Sequence, residues 1–253
     1  MTARRYPTGL LAAVLLGACS AVAPVVHTGA AHWSYAGADG PDAWSTLAPE
    51  YSACRTGRFQ SPLDLDNAVF DGNLSALRLE YTPAVAEIAN NGHTVQATFR
   101  DGGVMHWGDR EYKLLQLHHH RPGEHTVAGR PADLEIHLVH RAADGSFAAV
   151  ALLLDEGAAP SAVVGALIAA GAAGDPILRD IDPASILPAD LGYITYDGSL
   201  TTPPCSEGVR WIVLRERGSV SRGQLARLGA LLPPNARPAL PAAGRHIRRT
   251  SPR

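Results

Sequence analysis

The stretch Leu117 to His125 reads L-H-H-H-R-P-G-E-H, and the conformation of its three adjacent histidines decides how the chain folds around them. The segment leading into it, Tyr112 to His120, is a short alternating run bounded by turn residues, which predicts a β-strand. On a strand, His118 and His120 share one face and His119 points to the other. Such a pair sets two imidazoles where one tetrahedral metal ion can bridge them, but two ligands make a weak site, so a third must come from elsewhere. L-E-I-H-L-V-H, Leu134 to His140, offers it: His137 shares a face with Glu135 and Val139, while Ile136, Leu138 and His140 face the opposite way. Three neutral imidazoles with a fourth position open make the donor set of a catalytic zinc site. Glu124 and Glu135 are acids at hand to accept the second ring N–H of such ligands. Spacing alone leaves other readings open: a solvated tract, a soft metal-scavenging patch, or histidines satisfied in a core.

Outward from this stretch the pattern continues as short segments separated by turn signals. Thr94 to Arg100, Leu134 to His140 and Arg210 to Leu214 read as strands, with N-N-G at Asn90, D-G-G at Asp101 and A-D-G at Ala143 as hairpin-type breaks. Two segments read as helices. Ser161 to Ala173 is apolar and alanine-rich, a packed helix and not a membrane span. Ser221 to Leu232 opens with S-R-G-Q, a capping box, and carries leucines at 225, 228, 231 and 232. Strands dominate and helices are few and peripheral, so the chain is expected to form one β-rich domain.

Composition agrees. The chain has 253 residues, 46% of them hydrophobic and 18% charged, with a formal net charge of −2, enough for one large core. Acids and bases nearly balance, which gives no electrostatic footprint for nucleic acid and suits a small, weakly charged or neutral partner. Nineteen prolines and 25 glycines spread along the chain favour many turns and short elements over long helices.

The first residues belong to a targeting signal. M-T-A-R-R is a basic start, and Leu10 to Ala18 is an apolar run of signal-peptide length, too short to cross a bilayer as an anchor. L-L-G-A-C-S resembles a bacterial lipobox with Cys19 as the lipidated mature N-terminus; A-V-A at Ala21 to Ala23 is a rival site for ordinary cleavage. Either exit implies export, to the periplasm or to a lipid anchor on the cell envelope. With Cys19 lipidated, Cys54 and Cys205 remain to pair in an oxidising compartment. Their bond would close a loop of about 150 residues and contribute about 2–4 kcal/mol; the alternative is two buried free thiols.

The blocks H-W-S-Y from His32, G-P-D-A-W from Gly40, Q-S-P-L from Gln60 and N-N-G-H-T from Asn90 occur in order. They continue with Q-L-H-H-H-R-P-G-E-H-T from Gln116, L-E-I-H-L-V-H from Leu134 and Y-D-G-S-L-T-T-P-P-C-S-E-G-V-R-W from Tyr196; N-A-R-P-A-L-P from Asn235 and Arg245 close the run. Together they resemble the α-class carbonic anhydrases of the bacterial exported type, from about His32 to the C-terminus. The resemblance implies an α+β, mainly β fold: one domain on a large, mostly antiparallel twisted sheet with short peripheral helices. Residues 1–18 are then the signal peptide, 19–31 an N-terminal linker and 32–253 the catalytic domain.

The same resemblance implies one Zn2+ per chain on His118, His120 and His137, with Gln116 and Glu135 supporting the ligands. Thr201 corresponds to the threonine that accepts a hydrogen bond from zinc-bound hydroxide and passes its own proton toward Glu124. Val139, Ala149, Leu200, Thr202, Val209 and Trp211 match the substrate pocket, and His93 the proton shuttle. The implied reaction is reversible hydration of CO2 to bicarbonate by zinc-bound hydroxide, the metal lowering the pKa of its water to about 7, as carbonic anhydrases themselves exemplify. Partners are then CO2 and bicarbonate, with no nucleic acid, membrane contact only through lipid on Cys19, and a homodimer allowed by analogy with bacterial relatives. Departures are visible: His119 stands where the family usually has an aromatic residue, Ala149 where valine is common, and Arg121 and Gly123 where threonine and serine are. Non-catalytic relatives lack a ligand or the threonine, and this chain lacks neither. The H-x-H-x-D-H pattern of other zinc hydrolases is broken by Pro122.

Overall fold

Each turn signal joins a pair of strands. Asn90–Gly92 leads from Ala84–Asn90 into Val95–Phe99, Asp101–Gly103 into Gly103–Trp107, and Ala143–Gly145 from Leu134–Ala142 into Phe147–Gly157. Gly103 has to be glycine: its φ is +100°, and a Cβ there would stand 2.3 Å from the carbonyl oxygen of Glu80 on the paired strand. The computed structural model describes Met1 and residues 31–250. The expected signal segment after Met1, Cys19, the A-V-A site and all of the linker but Ala31 lie outside the described residues.

From His32 onward the described residues build one unit on a 13-stranded sheet. Across its centre run Tyr193–Ser199, Glu207–Leu214, Phe147–Gly157, Leu134–Ala142, Arg110–His120, Val95–Phe99 and Ala84–Asn90, with Ile177–Ile181 at the edge. Most neighbours are antiparallel. Phe147–Gly157 runs parallel to Glu207–Leu214 and to Gly218–Ser221, and the short Val69–Phe70 is parallel to Arg248–Arg249. The two predicted helices are present with slightly shorter ends. Ala162–Gly171 is capped by the Ser161 side chain, and Arg222–Leu231 carries the reciprocal Ser221–Gln224 capping box. No described helix is long and apolar enough to cross a membrane.

Alternation along the strands divides the apolar residues between two faces of the sheet. One face, with Ile136, Leu138, Val150, Leu152 and Ile212, forms the main core with Val164, Leu167 and Leu228 of the two helices. The other face, with Ala149, Ala151, Tyr196, Val209 and Trp211, packs with Leu63, Leu65 and Ile247. Arg110–His120 serves both faces because it contains a bulge: Leu114 lies opposite His140, but Gln116 lies opposite Val139. The residues on the main-core side are therefore Tyr112 and Leu114 before the bulge, and Leu117 and His119 after it. Gln116, His118 and His120 turn to the other face.

His119 is thus a buried polar ring on the main-core side, 1% exposed. Its Nδ1 lies 3.3 Å from the Thr94 hydroxyl, and the same hydroxyl donates to the His119 carbonyl at 2.7 Å, which offsets the cost of burying it. Burial, then the charges of His120 and Arg121, push its pKa down to about 4, against the main chain of Val95. His140, equally buried, sits 2.7 Å by Nε2 from the Tyr81 hydroxyl; burial pushes it down to about 3, against the main chain of Ala148 and Leu138.

Both rings are neutral in the folded chain, whereas in the unfolded chain they titrate near 6.5. At these two rings the unfolded state therefore binds more protons below that pH, so their contribution to stability falls as pH drops from about 6.5 toward 4. Urea unfolding at pH 7 and pH 5 is expected to show a loss of about 1–3 kcal/mol. His119→Phe should make that loss smaller.

Candidate metal centre

His118 on Arg110–His120 lies directly opposite His137 on Leu134–Ala142, so the antiparallel register brings the third imidazole to the pair. The three ring centroids are 4.6–5.1 Å apart. One ring nitrogen from each lies within 4.8 Å of one from each of the others. Hydrogen bonds decide which nitrogens these are. His118 Nδ1 is 2.8 Å from the Gln116 amide oxygen, His120 Nδ1 is 2.7 Å from the Asn235 carbonyl, and His137 Nε2 is 2.7 Å from Glu135 Oε1. With those three N–H groups donating, Nε2 of His118, Nε2 of His120 and Nδ1 of His137 keep their lone pairs. Nε2 of His120 is buried and has no hydrogen-bond partner, as a ligand atom awaiting a cation would be. Burial pushes all three imidazoles below their ordinary pKa, His118 well below and His120 to about 4, so each is in the neutral form a metal requires. A second group of donors, His125, Glu135 and His137, is already bonded within itself and offers no free set.

Glu135 anchors this arrangement. Its Oε2 accepts from the backbone N–H of Glu124 at 2.7 Å and of His125 at 2.8 Å, and its Oε1 accepts from His125 Nδ1 at 2.6 Å as well as from His137. Burial opposes its charge, but the His125 and His137 rings and their hydrogen bonds hold the carboxyl well below the usual range. His125 is held on its other side as well, with Nε2 2.6 Å from the Tyr196 hydroxyl.

Glu124 differs. Burial pushes its carboxyl up to about 7; His137 lowers it, Glu135 raises it, and the Arg237 N–H and the Thr201 hydroxyl lower it. Oε1 accepts from Arg237 N–H at 2.9 Å, while Oε2 is buried without a hydrogen bond of normal geometry. Thr201, 5% exposed, lies beside the Glu124 carboxyl on a loop closed at several points. Leu200 N–H donates to Ser206, Cys205 N–H to the Thr202 carbonyl, and the Gln60 amide to the Cys205 carbonyl. Cys205 is bonded to Cys54, as the cysteine count led us to expect, across a separation of 151 residues.

The expected pocket residues converge beside the ligands. Ala149 pairs with Val139 on one side and Trp211 on the other, and the Trp211 ring lies 4.8 Å from that of His137. Val209 belongs to the same apolar cluster, Leu200 packs on it, and Thr202 is half-buried in the Thr201 loop. His93 is half-buried and stacked on Trp33, centroids 3.7 Å apart and planes at 4°. Burial and the nearby His32 lower its pKa.

Two residues had no role in the sequence reading and prove central. The Asn235 side chain donates to the carbonyls of His93 and His119 and accepts from Arg121 N–H, while its own carbonyl holds His120. The Arg237 side chain donates to Gln60, Ser61 and Cys54. The only signal for them was the block N-A-R-P-A-L-P, whose residues carry no periodicity or donor spacing of their own.

The family described as eukaryotic-type carbonic anhydrase matches residues 39–251. A carbonic anhydrase of Nostoc sp. is 35% identical, covering 96% of both chains. One from Neisseria gonorrhoeae is 34% identical over 96% of this chain and 98% of its own. The alpha-carbonic anhydrase of Thermovibrio ammonificans, solved with the inhibitor sulfanilamide, superposes with a TM-score of 0.82 at 35% identity, covering 87% of this chain and 100% of that one. With its sheet, its three facing imidazoles and these relatives, the chain belongs to the carbonic anhydrase family, whose enzymes hydrate CO2.

Proposed function

We propose that this chain interconverts carbon dioxide and bicarbonate at one zinc ion held by His118, His120 and His137. The observation that carries the reading is the buried, unpartnered Nε2 of His120 beside two further imidazole lone pairs. Bound zinc supplies the Lewis acidity that makes water a nucleophile at neutral pH, a role for which carbonic anhydrases are the reference case.

The chain's own residues supply orientation, substrate binding and proton transfer. We assign the Thr201 hydroxyl, beside the Glu124 carboxyl, as the donor to Oε2, whose acceptor position is open. Its own oxygen is then left to accept a hydrogen bond from the nucleophile and aim it. CO2 has no dipole, so it suits the wall of Val139, Ala149, Leu200, Val209 and Trp211, with Thr202 at the rim. His93 accepts the proton that each turnover must export and releases it to solvent; its lowered pKa favours that release at neutral pH. Trp33 holds the ring in place at a surface cavity of about 470 Å3.

We also propose that the chain is exported, to the periplasm or to a lipid anchor at Cys19. The Cys54–Cys205 bond supports export, because such bonds persist in oxidising compartments.

The purified protein is expected to hold one zinc per chain and to hydrate CO2 above the buffer rate by stopped flow, and His137→Ala to lose both. Wild-type protein with tightly bound zinc and no hydration would refute the reading. His93→Ala should lower kcat about tenfold or more in weak buffer, with recovery on adding imidazole; no rescue would remove His93 from the proton path. Intact mass of the mature protein should show an N-terminus at a lipidated Cys19, and a start after Ala23 would replace the anchor with ordinary cleavage.

A further inference from the structure

Beside Asp197 and Gly198, near the end of the strand Tyr193–Ser199, lies a cavity of about 580 Å3 that the proposed reaction does not use. A volume between about 300 and 1,000 Å3 is that of an organic ligand and far exceeds a bare inorganic anion. Its lining carries three guanidinium groups, Arg210, Arg245 and Arg248, against one carboxylate, Asp197.

The guanidinium groups are held in place before any ligand arrives. Arg210 lies 4.9 Å over the Trp107 ring and pairs with Asp197 at 2.7 Å. Arg248 pairs with Asp71 at 3.2 Å. Arg245 donates to the Ala242 carbonyl at 2.8 Å and to those of Pro241 and Asp197 at 3.2 Å. A guanidinium has five N–H donors, so these contacts saturate none of the three. Between them the wall is open main chain: Gly208 and Gly244 have φ of +94° and +76°, and a Cβ on either would meet nothing within 4 Å. Phe59, 43% exposed, adds an apolar side. Fixed planar donors beside an aromatic surface match an oxyanion headgroup on an apolar body.

The cavity floor touches the groups that hold the third ligand. A Cβ on Gly198 would stand 2.8 Å from the rings of both Tyr196 and Trp211. The Arg245 guanidinium lies 5.7 Å from the centre of the Tyr196 ring. From there the chain of contacts is short: Tyr196 hydroxyl to His125 Nε2 at 2.6 Å, His125 Nδ1 to Glu135 Oε1 at 2.6 Å, and that oxygen to His137 Nε2 at 2.7 Å. An anion that draws Arg245 toward itself loosens Tyr196, and with it the orientation of His137.

We propose that this cavity is a second, non-catalytic site for an organic anion, an oxyanion on an apolar body, and that its occupancy slows the reaction at the metal through Tyr196. The binding half stands on the cavity itself; the rate effect rests on the function proposed above.

Phenyl phosphate, with inorganic phosphate as the headgroup-only control, is titrated into the zinc-loaded protein while the backbone amides of Gly198, Gly208 and Gly244 are followed by NMR. Saturable shifts at these amides are expected with phenyl phosphate, and weaker binding with phosphate. Arg210→Gln with Arg248→Gln should weaken binding about a hundredfold, about tenfold for each charge-assisted hydrogen bond removed, and leave basal hydration unchanged. Arg248→Gln alone serves if the double variant does not fold. Bound phenyl phosphate should lower wild-type kcat about twofold to tenfold, below the effect of deleting a group that supports a ligand. Tyr196→Phe should bind it without that response.

Shifts confined to amides around His118, His120 and His137, or binding unaffected by the arginine variants, would overturn the site. Equal binding of both probes would overturn the apolar half of the ligand, and binding without a fall in kcat the coupling. Because the amide shifts need no activity, a chain that proved inactive would still test the site.

Discussion

A carboxylate with no water around it has to find its hydrogen bonds inside the protein, and Glu135 finds four. Those four donors belong to three different parts of the molecule: the ligand His137 on its own strand, the ring of His125, and the two consecutive peptide groups that begin the Glu124 turn. Satisfying one buried charge therefore fixes the tautomer of a ligand, the position of the acid that faces Thr201, and the packing of Tyr196. The large sheet can be viewed as the scaffold that makes this convergence rigid. Its register places His118 opposite His137, and the helices on the main-core side keep the strands from shifting.

Buried charge and buried neutrality have different uses here. Glu135 keeps its proton off because imidazoles surround it, whereas Glu124, whose Oε2 lacks a partner, is pushed up to about 7 by the same burial. Two carboxyls 11 residues apart in sequence are thus separated in acidity by their neighbours alone. One is an acceptor that orients ligands; the other is raised chiefly by burial, with Thr201 the least of the groups that lower it. His119 belongs to neither group. Thr94 satisfies it on the side of the sheet away from the metal, so the polarity that looked out of place has a partner and no chemistry.

Much of this was legible in the chain before any coordinates. Alternation over His118 to His120 and Leu134 to His140 offered the ligand trio and turned His119 away from it, because side-chain direction on a regular strand follows from parity; the resemblance then chose that reading over the others. Turn glycines and the S-R-G-Q capping box located hairpins and a helix, since both are local effects. Thr201, His93 and the pocket were legible only through resemblance: a threonine before two prolines has no spacing that speaks of catalysis. Asn235 and Arg237 were legible only as members of a matching block, with no role attached. Their work is done by a main-chain carbonyl, a backbone N–H and long-range contacts to Gln60 and Cys54, none of which depends on a pattern near them.

The bulge at Leu115 also constrains how the protein can change. Up to Leu114 the strand is read in one frame, with even-numbered side chains packed in the main core; beyond it the frame is inverted, and even-numbered side chains line the metal centre. Lose Leu117, on the regular run beyond the bulge, and His118 and His120 rotate beneath the sheet while His119 is carried out to the metal's side; lose Leu115 itself, and the two frames join in plain alternation with the ligands still facing the metal. Length is therefore fixed between the bulge and the ligands, which are addressed by counting from Gln116 onward.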